Sequence, residues 1–427
     1  RLPAQWDLQS CIDYALEQNI TIRKNRVTAE STQIDVKTAK AALFPSLSFS
    51  TSQQVVNRPY QETSSRVSGN EIISSNSKTS YNGNYGLNAS WTIYNGSKRL
   101  KTLKQERLNN QVAELDIATS ENTIKESIAQ IYIQILYAAE SVRVNENTLQ
   151  VSIAQRDRGQ ELLNAGSIAK SDFAQLEAQV STDRYQLVTA QATLQDYKLQ
   201  LKQLLELDGE NEMNVYLPNL SDENVLAPLP AKKDVYVSAL AIRPEIEASK
   251  LNVEASELGI DIAKSSYFPT ISLSAGIGTN HTSGSDFTFG EQVKNGWNNS
   301  IGLSVSVPIF NNRQTKSAVQ KARLQRETNM LSLLDEQKAL YKTIESLWLD
   351  ANSAQQRYAA ANEKLRSTQI SYDLISEQFN LGMRNTVELL TEKNNLLQAQ
   401  QEQLQAKYMA ILNTQLLKFY QGDKLTL

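Results

Sequence analysis

The chain has few of the residues that form metal centres or interrupt long elements. Its 427 residues include one cysteine, Cys11, and one histidine, His281. A lone cysteine excludes an internal disulfide and any cysteine-built metal site, and His281 lies in a predicted surface loop without further ligands. There are only nine prolines and 16 glycines, a shortage that favours long uninterrupted helices. We expect neither a metal site nor a cofactor.

A strong net charge and long apolar runs are also missing. The formal net charge is −3, so the chain has no basic face of the kind that binds nucleic acid. No stretch approaches the roughly 18 apolar residues of a membrane-spanning helix, and we expect no such helix. The sequence also contains no nucleophile with its base and no phosphate-binding loop, so we predict that the protein is not an enzyme.

What the sequence does contain is an internal repeat. The matching segments are 39–50 (AKAALFPSLSFS) with 263–274 (AKSSYFPTISLS), 87–95 (LNASWTIYN) with 303–311 (LSVSVPIFN), and 164–166 (NAG) with 380–382 (NLG). Matches that recur in the same order predict one structural unit used twice. Residues 1–216 would form the first repeat and residues 217–427 the second.

Apolar residues recurring at coiled-coil spacing predict long helices. In the first repeat such a seam is formed by Ile117, Ile124, Ile128, Ile131 and Ile135. Residues 97–163 and 313–379 contain no proline, and each run would be about 100 Å long at 1.5 Å per residue. The predicted helices are 8–43, 97–163, 170–206, 234–267, 313–380 and 386–419.

Between the helices the apolar period changes to two, which predicts β-strands. The predicted strands are 46–52, 83–94, 270–279 and 300–310, and polar loops at 53–82 and 281–299 join them in pairs. One face of these strands is apolar, and the opposite face carries Ser, Gly, Thr and Asn without charge. This pattern is typical of membrane strands, although two hairpins covering a soluble core would alternate in the same way. The residues expected to face lipid are Leu87, Trp91, Ile271, Leu273, Leu303 and Val305.

Four strands cannot close a membrane barrel, because the smallest known barrels have eight. An open sheet edge in lipid leaves backbone groups unpaired, at several kcal/mol each. Membrane strands in this chain would therefore require several copies to assemble. This reasoning does not determine the number of copies.

These features together resemble the TolC family of outer-membrane efflux channels over essentially the whole chain. The resemblance is carried by the duplicated helix-strand-strand-helix-helix order, the glycine-containing hairpin tips and the corners Phe44-Pro45 and Phe268-Pro269. It implies a mainly α fold with a membrane β-barrel: a trimeric 12-stranded barrel continuous with a 12-helix tunnel. A small mixed equatorial region would come from residues 208–233 and 420–427.

The resemblance also implies a function, namely a passive export duct of a tripartite efflux or type I secretion system. The duct would lie in the bacterial outer membrane, with its helical tunnel in the periplasm. Substrates would come from an inner-membrane pump of the RND, ABC or MFS type through a periplasmic adaptor (membrane fusion) protein. The implied partners are thus two further copies of this chain in a homotrimer, the periplasmic adaptor, the inner-membrane pump and the outer-membrane lipid. The alternative is a soluble coiled-coil scaffold protein whose hairpins serve as oligomerisation caps.

In this family the adaptor docks at the hairpin tips, and the tunnel narrows to a gate nearby. The implied docking residues are Gly166, Ser167, Ile168, Gly382 and Met383.

Alignment on Gly382 puts Arg384 on the arginine that holds the gate shut and Glu388 on the first acid of the pore ring. Asp172 falls on the acidic partner of that arginine. Phe379 falls where the family often has tyrosine, so a hydroxyl tether is missing. Alternatively, Glu388 and Asp172 are solvated acids that the helix dipole favours at helix N-termini.

Overall fold

The computed structural model describes residues 2–62, 64–68, 70–75, 77–210 and 212–427, and these are mainly helical. The helices are α1 (Leu8–Gln18), α2 (Ile20–Ala41), α3 (Lys98–Asn164), α4 (Lys170–Leu204), α5 (Asp222–Val225), α6 (Lys232–Ile242), α7 (Pro244–Lys264), α8 (Phe289–Asn295), α9 (Gln314–Asn380) and α10 (Thr386–Gln421). The strands are β1 (Ser46–Asn57), β2 (Ser64–Ser68), β3 (Glu71–Ser75), β4 (Thr79–Asn95), β5 (Thr270–Thr282) and β6 (Asn298–Ser306).

The chain divides into two compact units. The helical unit comprises Arg1–Thr28, Glu114–Ala248 and Leu333–Leu427, and the sheet unit comprises Ala29–Ala113 and Ser249–Ser332. Each unit takes segments from both predicted repeats, since the long helices α3 and α9, of 67 residues each, contribute residues to both units. The repeat boundaries at 1–216 and 217–427 stay a prediction, and the compact units follow a different division.

The sheet unit contains a four-stranded sheet in the order β1-β4-β5-β6, with every neighbouring pair antiparallel. Residues that lie directly opposite each other share a face of the sheet. The register opposes Trp91 to Leu273 and Leu273 to Leu303, and it opposes Ile271 to Val305. The apolar residues of neighbouring strands therefore lie on one common face.

One irregularity interrupts the alternation near the end of β4. The register shifts between Thr92 and Tyr94, so that Tyr94 and not Ile93 lies opposite Ile271. A β-bulge of this kind inserts one extra residue and changes the face that each following side chain occupies. Period-two alternation running through Ile93 is therefore wrong at this point.

The helical unit is built around a core that α3 and α10 dominate. Ile128, Tyr132 and Ile135 of α3 are at most 1% exposed, and Ile411 of α10 packs in the same cluster. Trp6 forms a parallel bridge with Val215. The predicted equatorial segments join this core through their apolar residues Val215, Leu220, Val225 and Leu425.

The predicted helix 8–43 is broken at Asn19. The Asn19 Oδ1 accepts hydrogen bonds from the backbone N–H groups of Thr21 (2.9 Å) and Ile22 (3.4 Å), so this side chain satisfies the first donors of α2. Such side-chain acceptors stabilise a helix start, and the chain here stops one helix and begins another.

The predicted helix 234–267 is broken at Arg243, and the cause is the following proline. The proline ring disfavours helical backbone at the preceding residue, and Arg243 has an extended conformation with φ −71° and ψ 123°. Pro244 itself occupies the first position of α7, where its missing N–H is not needed.

The predicted loops are more regular than expected, and the strand ends differ. Loop 53–82 contains the separate ribbon of β2 and β3, and loop 281–299 contains α8. The α8 start is explained by a capping box, in which Thr288 and Glu291 bond each other's backbone N–H. The last strand ends at Ser306 instead of 310, just before Pro308.

Candidate functional site

Two hairpin tips in the helical unit carry the predicted docking and gate residues. We call α3 with α4 the first hairpin and α9 with α10 the second hairpin. At the first tip Gly166 has φ +73°, and the N–H of Ser167 donates to the Leu162 carbonyl at 2.8 Å. At the second tip Gly382 also has φ +73°, and the N–H of Met383 donates to the Gln378 carbonyl at 2.8 Å. Both helices thus end in the same glycine-dependent turn.

An acidic residue caps the N-terminus of the second helix at each tip, which is α4 at the first tip and α10 at the second. The N–H of Ala169 donates to Asp172 Oδ2 at 3.3 Å, and the N–H of Asn385 donates to Glu388 Oε2 at 3.1 Å. Asn385 Oδ1 in return accepts from the Glu388 N–H at 2.9 Å. The two predicted gate acids therefore act as capping residues within the single chain.

Arg384 is held within its own tip. Its Nη1 lies 2.8 Å from Glu388 Oε1, and its Nε donates to Gln378 Oε1 at 2.8 Å. The Asn385 N–H and, next in size, Arg384 lower the pKa of Glu388, so this carboxylate is ionised at neutral pH. Within one chain Arg384 pairs with Glu388 rather than with Asp172, because Glu388 lies one helical turn away. Contact between Arg384 and Asp172 stays a prediction.

The remaining predicted tip residues differ in exposure. Met383 is 69% exposed, whereas Phe379 is 3% exposed. Gly166, Ser167 and Gly382 are exposed, and Ile168 is half-buried. The tips therefore present backbone and a few side chains to solvent, while Phe379 packs inside the helical unit.

A buried cluster near the second tip was not predicted from the sequence. Lys393 Nζ of α10 contacts both Asp183 Oδ2 of α4 and Ser152 Oγ of α3, and Ser152 Oγ also contacts Asp183 Oδ2. The side chains of Lys393 and Asp183 are 3% and 2% exposed. Burial lowers the pKa of Lys393, against the raising effect of the Asp183 carboxylate. We call these three residues the Lys393 cluster.

The sequence carries a signal for this cluster in its helical seams. Val180 follows Leu176 by four residues and Asp183 follows Val180 by three, and Lys393 follows Leu389 by four. These are positions that an apolar residue normally occupies in a helix–helix contact. A charged residue at a seam position is therefore a signal in the sequence that Asp183 and Lys393 are each buried.

The six predicted lipid-facing residues all lie on the apolar face of the sheet described above. In the single chain Leu303 and Val305 are 64% and 59% exposed. Their orientation toward lipid stays a prediction. Among the described helices, none combines the length and the hydropathy needed to span a lipid bilayer. Across the same described ranges, no three His, Cys, Asp or Glu side chains are grouped as a metal site requires.

Comparison with known proteins identifies the family. The family model described as outer membrane efflux protein matches residues 11–206 and 235–422. The chain belongs to this family. It is 25% identical over 294 residues to the outer membrane efflux protein BepC of Brucella suis, covering 68% of this chain and 61% of that protein. It is 25% identical over 341 residues to the outer membrane protein TolC of Escherichia coli, covering 77% of this chain and 66% of TolC.

The chain thus spans somewhat less than two thirds of the length of these two relatives. A solved structure of CusC superimposes with a TM-score of 0.83 at 19% identity, covering 99% of this chain and 94% of that chain. This similarity shows a shared fold.

The predicted family is confirmed, because its model matches most of the chain. The two relatives are named as an outer membrane efflux protein and an outer membrane protein. The mainly helical fold with a small sheet is likewise that of a solved channel. The alternative of a soluble coiled-coil scaffold has no support from these comparisons.

Proposed function

We propose that three copies of this chain assemble into a passive export duct in the bacterial outer membrane. The observation that carries the proposal is the four-stranded sheet, which has β1 and β6 at its edges and an exposed apolar face. Edge strands in lipid are costly because no water pairs their backbone groups. Three such sheets, joined edge to edge, would close a barrel of about 12 strands, within the range of membrane barrels.

In this assembly the apolar face of each sheet turns to lipid and the uncharged face lines the lumen. The opposed pairs Ser48 with Asn88 and Ser274 with Gly302 lie on that uncharged face. Small uncharged residues suit a narrow, water-filled interior. The long helices α3, α4, α9 and α10 would supply four helices per chain, and hence a 12-helix tunnel in the periplasm.

The duct has no energy source of its own in this proposal. Substrates are delivered by an inner-membrane pump of the RND, ABC or MFS type through a periplasmic adaptor protein. The adaptor docks at the hairpin tips, where Gly166, Ser167, Gly382 and Met383 are exposed and Ile168 is half-buried.

The gate of the duct lies at the second tip. Arg384 and Glu388 are 43% and 39% exposed, so a single pair of this kind stabilises the tip only weakly. In the trimer three such pairs surround the narrow end of the tunnel, and their summed contributions favour the closed arrangement of the tips. Glu388 supplies the negative charge of the ring and Asp172 a carboxylate on the first hairpin. Phe379 contributes apolar packing instead of a hydroxyl bond.

Single-channel conductance in a planar lipid bilayer tests the proposal. We expect small, cation-favouring steps from the purified protein and larger steps, or a higher open fraction, from Arg384→Ala. The matched control is Arg366→Ala, because Arg366 also pairs with a carboxylate on an exposed helix surface, at 2.7 Å from Glu363. Channels that are identical in Arg384→Ala and the control would exclude the gate, and folded protein without any channels would exclude the duct.

A further inference from the structure

The Lys393 cluster is the most deeply buried group of charges in the described helical unit that the proposed gate does not use. Its members come from three helices: Ser152 from α3, Asp183 from α4 and Lys393 from α10. Asp183 and Lys393 are 210 residues apart in the chain, and Ser152 and Lys393 are 241 apart. The cluster therefore joins the second hairpin to both helices of the first.

The charges of the cluster have polar partners inside an apolar setting. Asp183 Oδ1 accepts a hydrogen bond from Gln179 Nε2 at 2.9 Å, while its other oxygen contacts Lys393 and Ser152. Leu176 and Val180 of α4, next to Asp183 along its seam, are at most 5% exposed. A buried ion pair holds only while its partners stay in place, since removing one partner leaves an uncompensated buried charge.

A small cavity beside the cluster gives it a route to hydration. The cavity has a volume of about 190 Å³, and its lining includes Lys393, Thr148 of α3 and Tyr372 of α9. This space is open to solvent, because Asn147 and Val151 in its lining are exposed, and a modest separation of the hairpins would let that water reach the ion pair. Water would then solvate the Lys393 and Asp183 charges, which pair with each other while the hairpins are packed together.

The cluster lies close to the proposed gate. Lys393 is seven residues beyond the first residue of α10, which corresponds to roughly 10 Å along the helix axis. Arg384 and Glu388 lie at the tip itself, at the start of α10. Lys393 therefore contacts the first hairpin about two helical turns from the second tip.

We infer that Lys393 is a positioning residue of the gate, which pins the second hairpin to Ser152 and Asp183 of the first and thereby holds the aperture closed. This inference rests on the proposed function. The ion pair is formed when the hairpins pack together, and it is exchanged for water when they separate. Lys393 thus acts on conductance through the position of the tip rather than by contact with the permeating solute.

The test is single-channel recording on three variants of the full chain. Lys393→Met leaves the Asp183 carboxylate buried without its cation, and we expect an open fraction about tenfold higher or more. Lys393→Met combined with Asp183→Leu replaces the ion pair by an apolar contact between the same two helices, and we expect an open fraction close to that of the unmodified protein. Lys364→Met is the matched control, because Lys364 pairs with Glu402 at 2.7 Å within the second hairpin alone and its side chain is 48% exposed.

The assembled trimer is quantified in every sample, so that altered gating is separated from poor folding. Wild-type conductance from assembled Lys393→Met would overturn the inference, and so would a double variant as open as the single one. Should Lys393→Met not assemble, Ser152→Ala decides the question: a raised open fraction supports the pinning role, and unchanged conductance overturns it. If the unmodified protein forms no channels, the proposed function and this inference are both overturned. If the unmodified protein forms channels and Lys393→Met has the same open fraction, only the inference is overturned.

Discussion

At the scale of single residues, two glycines determine the shape of the hairpin tips. Gly166 and Gly382 both have φ +73°, in the left-handed region that other residues enter only with strain. An added Cβ would meet no atom within 4 Å at either position. The requirement for glycine is therefore one of backbone conformation and not of space.

Gly382→Ala is expected to loosen the second tip. Left-handed backbone costs alanine about 1 kcal/mol, so amide hydrogen exchange in the last turn of α9 should become roughly fivefold faster. Mass spectrometry of exchanged peptides measures this rate. Gly290→Ala is the control, since Gly290 also has open space around it but no positive φ. Equal effects of the two substitutions would contradict the conformational explanation.

The ionisation of Glu388 predicts how ion selectivity depends on pH. The Asn385 N–H and Arg384 lower the pKa of Glu388 below its ordinary value of 4.5. The carboxylate and its bonds are therefore fully present above pH 4.5 and are lost as the pH falls through the lowered pKa. We expect cation preference, measured as a reversal potential in a salt gradient, to be constant from about pH 7 to 5 and to decline only below 4.5.

Glu388→Gln provides the control for this titration. The variant should show weaker cation preference at neutral pH and no decline in the acid range. A selectivity that changes between pH 5 and 7, or that the variant leaves intact, would show that other groups carry the ring charge.

At the scale of elements, the sheet separates an apolar from an uncharged polar face. Leu303 lies directly opposite Leu273, while its neighbour Ser304 lies opposite Ser272 on the other face. The two positions are adjacent in β6 and lie on opposite faces of the sheet. Substitutions at these positions therefore distinguish a lipid-facing surface from a lumen-facing one.

Leu303→Arg is expected to reduce the heat-resistant trimer in outer-membrane extracts. A charge on the lipid face near the midplane costs about 2–4 kcal/mol per chain, and the same holds for Val305→Arg. Ser304→Arg is the control, because a lumen-facing charge stays in water and should leave the trimer yield close to normal. Equal yields from Leu303→Arg and Ser304→Arg on denaturing gels would contradict the assignment of faces.

At the scale of the whole molecule, closure of the sheet predicts pairing of β1 with β6 of a neighbouring copy. The only native cysteine, Cys11, is fully buried and is replaced by alanine in the background for this experiment. Ser48→Cys in β1 is then combined in turn with cysteine at Ser300, Ser304 or Ser306 of β6. At least one combination should form disulfides between copies.

Oxidation should then give a ladder that ends at about three times the chain mass of 47.7 kDa. Denaturing electrophoresis without reductant measures this ladder, and Ser48→Cys alone provides the control. Monomers from every combination would contradict edge pairing, and products beyond the trimer would contradict closure by three copies.

Much of the fold could be predicted from the sequence, because local periodicity reflects which faces are apolar. The seam residues Ile128 and Ile135 predicted α3, the alternation from Ile301 to Val305 predicted β6, and Gly382 predicted a tip. The capping of α2 by Asn19 and the effect of Pro244 on Arg243 are also local, although the long apolar patterns obscured them. Each of these features depends on neighbours within a few residues.

Only the tertiary structure decided which distant residues meet. The bulge between Thr92 and Tyr94 depends on how β4 and β5 pair, and strand composition does not encode that register. The contact of Lys393 with Asp183 depends on the axial position of α10 beside α4. Helical periodicity predicts which face of a helix is buried, but it does not predict the axial register between two helices. Sequence by itself therefore determined the elements, their buried faces and the family, while packing between helices decided where the buried charges meet.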